Sequence, residues 1–165
     1  MRKAMVGLAV VAAMAVVSQQ ALAQAQVRPI RFGAQATWAD DFDFGVGARV
    51  IYPALGKMVG VSGLEGSASF DWFFPSVGSY FEINVNALYP VAIASMPKLR
   101  PYVGGGLNIA HSSWDVVIVS YSSTDIGLNA LAGARFALGK FSTFAEAKIE
   151  LSGGEQFAVT FGVLF

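Results

Sequence analysis

His111 is the one histidine in a chain without cysteine, and it stands in Ala110-His-Ser-Ser-Trp-Asp115. A serine becomes a nucleophile when a base within hydrogen-bond reach takes its proton and an acid orients that base. The residue types of a hydrolase are therefore close together, but no spacing fixes an acid on the imidazole. His111 shares the parity of Leu107 and Ile109 and leads straight into a connecting segment, which suits an interfacial side chain. No catalytic residue is assigned. One imidazole without thiolates offers too few of the ligands that transition metals prefer, so neither a metal nor another cofactor is expected. Gly45-Val-Gly47 and Gly104-Gly-Gly106 could be taken for phosphate loops. Neither lies between a strand and a helix, and the Lys-Ser/Thr of such a loop is missing. They read instead as small residues at close approaches or bends in a sheet.

The elements that would position these residues follow from composition and periodicity. Of the 165 residues 55% are apolar and only 13% charged, with a mean hydropathy of +0.54. About 25% charge is usual in a soluble domain. Disorder is excluded, because so apolar a chain could not stay solvated and unfolded. A net charge of zero argues against nucleic acid, which needs a basic surface. Arg2 and Lys3 precede an apolar run from Ala4 to Val17, and Ala21-Leu-Ala23 follows. This is the pattern of a secretory signal over residues 1–23, cleaved between Ala23 and Gln24. It is too short to span a bilayer as a helix, which takes about 20 residues. Residues 24–165 then form one exported domain.

In that domain apolar residues recur at every second position, the period of a strand with two different faces. Eight such segments run over residues 30–38, 44–52, 64–72, 81–89, 102–109, 126–136, 143–151 and 157–165. The seventh is the least adjustable: Glu146, Lys148 and Glu150 fall on one parity, and Ala145, Ala147, Ile149 and Leu151 on the other. Gly, Pro, Asp and Ser cluster between the runs, at 40–41, 53–63, 75–79, 90–98, 139–140 and 152–155. The longest connection is expected from Ser112 to Asp125. Successive strands without helices between them imply antiparallel hairpins, so the fold class is all-β: an eight-stranded antiparallel up-and-down barrel.

The apolar face carries no charge, and Trp38, Phe44, Tyr52, Trp72, Phe81, Tyr89, Phe136, Phe157 and Phe165 sit near the strand ends. Aromatic girdles of this kind belong to barrels that meet lipid outward. The other face has nine charges among many Gly, Ala, Ser and Asn, too few for a solvated exterior but suited to a narrow lumen. These are Arg31, Arg49, Glu65, Asp71, Glu82, Arg135, Glu146, Lys148 and Glu150, which must pair or be hydrogen-bonded there. On this reading Ile83→Arg should cost about 2–4 kcal/mol and Asn84→Arg less. A soluble lipocalin-like barrel would have the faces reversed.

Phe157-Ala-Val-Thr-Phe-Gly-Val-Leu-Phe165 resembles the C-terminal β-signal by which bacterial outer-membrane proteins are recognised for insertion, with Phe157, Phe161 and Phe165 as its aromatic positions. Pro101-Tyr-Val-Gly-Gly-Gly-Leu-Asn108 and Gly127-Leu-Asn-Ala-Leu-Ala-Gly-Ala-Arg-Phe136 resemble strands of the small OmpA-like and OmpX-like transmembrane barrels. The resemblance implies an outer-membrane location, lipid as surroundings, the barrel-insertion machinery as partner, and no particular activity. A monomer with a structural or surface-interactive role in adhesion or defence is expected. The alternatives are a narrow channel or carrier for small or hydrophobic solutes, and a hydrolase of the lipid A deacylase type, some of which use an eight-stranded barrel. The segment 112–125 is rich in β-prone apolar residues, and its Trp114, Ile118 and Tyr121 are candidate contacts for an extracellular protein partner. Strands five and six running on above the membrane would explain the same residues without a partner.

Overall fold

The computed structural model describes residues 29–41, 43–116, 119–152 and 156–165. The expected signal segment, its cleavage site at Ala23–Gln24, and Ile118 lie outside the described residues. Eight strands form a closed barrel in which each pairs antiparallel with the next and the last with the first. They are β1 (Arg31–Ala39), β2 (Asp43–Tyr52), β3 (Glu65–Phe73), β4 (Ser79–Pro90), β5 (Leu99–Val116), β6 (Val119–Leu138), β7 (Phe141–Glu150) and β8 (Phe157–Leu164). Closure from Gly33↔Leu164 to Ala39↔Ala158 leaves no unpaired edge around the body of the barrel.

The end that holds residue 30 and Phe165 is here called the base, and the opposite end the crown. The expected 53–63 connection at the base contains a short helix, α1 (Leu55–Val59), which alternation over so few residues could not announce. Gly60, at φ 76°, ends the helix, and the Gly56 N–H donates to the Leu64 carbonyl at 2.9 Å, tying the loop to the foot of β3.

The segment 112–125 is not a loop: strand pairing continues through it. All 18 residues of β5 pair with β6, up to Trp114↔Tyr121 and Val116↔Val119. This agrees with the reading in which strands five and six run on beyond the apolar zone; the polar run Ser120 to Asp125 ends the hydrophobic alternation and so left the length of the extension open. β4 accompanies β5 only to Ser113, and β7 accompanies β6 only from Asn129. The hairpin therefore stands above its neighbours at the crown.

The alternation assigned from sequence holds in phase in every strand. Phe32, Val85, Ile126 and Phe161 stand on the outer wall with relative exposures of 62, 58, 69 and 62%. All nine predicted charges are on the inner parity, and eight of them are buried; Arg31, near the base, is partly exposed.

Candidate functional site

The inside of the barrel is built in layers along its axis. Toward the base, Ile51, Leu88, Tyr102, Leu131, Phe144 and Leu164 meet as an apolar cluster. Toward the crown, Ala39, Phe73, Tyr80, Ala110 and Ala158 form a second. The charged side chains lie at and between these two lids. Sequence reading placed Ile51, Leu88 and Phe144 on the inner parity but gave no sign that they would gather at one height.

Three ionic groups bridge the lumen. Arg49 of β2 donates twice to Glu146 of β7, from Nη1 to Oε2 and from Nη2 to Oε1, each at 2.7 Å. Such a two-pronged pair fixes orientation as well as charge. The Tyr102 hydroxyl donates to the same carboxylate at 2.9 Å, and the Arg49 guanidinium lies 4.6 Å from the Phe144 ring centre. Arg135 of β6 pairs with Glu65 of β3 and lies 4.7 Å from the Tyr102 ring centre. Lys148 of β7 pairs with Glu82 of β4 and also donates to Glu150 at 2.8 Å and to Asn84 Oδ1 at 3.2 Å. Arg49–Glu146, Arg135–Glu65 and Lys148–Glu82 each link strands three places apart in the closed order, so each is a cross-brace.

Glu82 also accepts from the Tyr80 hydroxyl at 2.6 Å and from Gln156 Nε2 at 2.5 Å. Gln156 belongs to the β7–β8 connection, and no periodic signal marked it as a lumen residue. Asp71 differs from the other acids. No cation lies within ion-pair distance of it among the described residues; Gln35, Thr37 and Ser69 donate to it at 2.7, 3.0 and 3.3 Å instead. Arg31 reaches Ser142 at 3.3 Å near the base. Between these groups lies a cavity of about 10 Å³ lined by Thr37, Arg49, Asp71, Asn84 and Lys148 among others. That is room for about one water molecule.

Of the glycines weighed as phosphate loops, Gly45, Gly47, Gly104 and Gly106 line this packed interior, and Gly105 is on the outer parity. A Cβ on Gly47 would stand 2.4 Å from Asp71 Oδ1, and one on Gly106 would stand 2.6 Å from Asn86 Oδ1. They make room for side chains from the adjacent strand. His111 lies on the outer parity, half-buried, with Nδ1 2.8 Å from the Thr124 hydroxyl and its ring 5.1 Å from Phe81. Ser112, on the opposite parity, is buried inside, so the two neighbours face different ways. Phe81 also stacks with Trp72 at 6.0 Å, and the ring row Trp72–Phe81–His111 crosses three strands on the crown side. On the projecting hairpin the Trp114 and Tyr121 rings stack at 6.4 Å. Phe157, Phe161 and Phe165 are exposed on the outer side of β8 and the residue after it.

The fold is that of the small outer-membrane barrels. The chain is similar to the N-terminal β-barrel domain of OprF from Pseudomonas aeruginosa, with a TM-score of 0.68 and 17% identity over 82% of this chain and 95% of that one. It is also similar to the Neisserial surface protein A (TM-score 0.57, 18% identity, 82% and 94% covered). The attachment invasion locus protein of Yersinia pestis gives a TM-score of 0.57 at 16% identity, with 82% and 93% covered. No family model and no curated protein matches the sequence. At these identities the likeness is one of architecture.

Proposed function

We propose that this chain is an integral barrel of a Gram-negative-type outer membrane that seals its own lumen and acts through its surfaces. Its role is structural, or one of adhesion or defence, without catalysis. The observation that carries the reading is the inversion of the barrel: an uncharged apolar wall outside and cross-braced ion pairs inside. A soluble barrel has no use for exposed Phe32, Val85 and Phe161, whereas hydrocarbon favours them. In this reading residues 1–23 are removed at Ala23–Gln24, the base faces the periplasm and the crown faces outward. Phe157, Phe161 and Phe165 are presented to the insertion machinery, and the folded protein is a monomer in lipid.

The test is fractionation of expressing cells, followed by gel migration with and without boiling. The expected result is a detergent-extracted outer-membrane protein whose unboiled form resists SDS and migrates apart from the boiled form. A chain recovered folded in the aqueous fraction would overturn the reading.

A partner for the projecting hairpin is a second element of the proposal. Between Val119 and Gly127, β6 has β5 on one side and, among the described residues, no strand on the other. Unpaired N–H and C=O groups along such an edge can add a strand from another protein with little demand on sequence. Trp114 and Tyr121 stiffen the hairpin beside that edge.

A further inference from the structure

The exposed charges divide along the barrel axis. Asp40, Asp41, Asp43 and Asp125 are exposed at the crown, where no exposed Lys or Arg occurs among the described residues. At the base the exposed charges are Lys57, Lys98 and Lys140, and no exposed acid accompanies them among the described residues. One part of the base adds a shape to this charge. Met96, Pro97, Lys98 and Leu99 fold against Phe136 of β6 and leave an open, almost wholly apolar groove of about 360 Å³. Its wall is fixed by backbone: Leu99 N–H donates to Met96 at 3.0 Å, and Ala137 N–H donates to the Lys98 carbonyl at 2.9 Å. That last bond sets Lys98 beside the turn that carries Lys140. On the other flank of the turn, Phe141 and Phe165 meet edge to face at 5.6 Å, both exposed.

We infer that this groove seats an acyl chain of an anionic glycerophospholipid from the leaflet at the base, with the lipid phosphate held by Lys98 and Lys140. The inference rests on the membrane reading above. Charge complementarity selects this occupant. A second copy meeting the same face about a two-fold axis would set lysines against lysines. A zwitterionic lipid would bring its own ammonium group toward the second cation. An anionic headgroup neutralises both lysines at the depth where the strands leave hydrocarbon, and each lysine near an anionic lipid surface contributes roughly a fivefold preference.

The experiment uses the chain from residue 24, refolded in micelles with equimolar phosphatidylglycerol and phosphatidylcholine. The lipid kept after washing is counted by mass spectrometry, and folding is checked by the gel shift. The expected result is phosphatidylglycerol retained over phosphatidylcholine by about fivefold or more. Lys98→Gln with Lys140→Gln should bring the ratio close to one, as should high salt. Phe136→Ser should lower retention of both lipids, and Asp40→Asn with Asp41→Asn at the crown should change nothing. Folded barrels that hold the two lipids equally, or a lysine double variant that keeps the preference, would overturn this inference and leave the membrane reading standing. A chain that forms no SDS-resistant barrel would overturn both.

Discussion

Arg49 and Glu146 are buried to side-chain exposures of 5 and 3%, so neither charge is open to bulk solvent. Removing one partner strands the other, which costs about 3–5 kcal/mol for a buried pair, while replacing both by apolar groups of similar size is often neutral. Glu146→Leu should therefore be more destabilising than Arg49→Met with Glu146→Leu together. Urea titrations of the refolded barrel in vesicles measure both; a double variant weaker than the single one would mean that the brace itself stabilises the barrel. Asp71 presents the reverse case. Its partners are an amide and two hydroxyls, and the cations Arg49 and Lys148 face it only across the cavity, without direct contact. Asp71→Asn keeps the shape and the bonds to Oδ1, and the Ser69 hydroxyl can turn to accept from the new amide. The expected change is below about 1 kcal/mol, or a gain. A loss as large as that of Glu146→Leu would show that the negative charge at Asp71 is needed by Arg49 or Lys148 across the cavity.

At the scale of the element, the phase of each strand was legible because a one-residue slip would move every side chain to the wrong face. Three charges on one parity of β7 leave no second solution. Height was not legible: alternation tells which wall Leu88 and Phe144 face, but barrel stagger decides that they meet Tyr102 at the base. The cross-braces were hidden for the same reason, since Arg49 and Glu146 are 97 residues apart and meet only through strand tilt. That packing also changes an expectation. Asn84 accepts from Lys148 and from Asn129 at 3.2 Å, beside a cavity of about 10 Å³, so Asn84→Arg would force a second cation against Lys148 and is not mild. The pair that separates the faces is Ile83→Arg, at about 2–4 kcal/mol, and Asn84→Ala, at about 1–2 kcal/mol because Lys148 keeps Glu82 and Glu150. Equal or reversed costs in the same titration would count against the inside-outside placement. The β5–β6 hairpin is separable in another sense: above Ser113 and Ser122 it pairs, among the described residues, with no strand but itself. Replacing residues 114–121 with Asn-Gly should leave the gel shift and the urea midpoint unchanged. Loss of the folded form would show that stacked Trp114 and Tyr121 are needed by the crown, as the contact of Trp114 with Gly78 would allow.

For the molecule as a whole, the proposed sealing of the lumen implies closures that act in series. On that proposal the apolar cluster at the base, the cross-braced charged region and the cluster around Phe73 and Tyr80 at the crown each close an eight-stranded barrel, which has little room beyond its side chains. A hydrated ion entering from the base must displace Leu88, Tyr102 and Phe144 before it meets any charge, and it then meets cations already bound to anions. Opening one layer leaves two, so Phe144→Ala with Leu88→Ala should weaken the fold, at about 2–5 kcal/mol per truncated core residue, without creating a conduit. The expected result in planar bilayers is no steady unit conductance for the native barrel or for this double variant. A steady ohmic step from the native barrel would overturn the sealed-lumen reading and favour the narrow channel. A step from the variant alone would locate the seal in the base cluster and show that the charged layer is no barrier by itself.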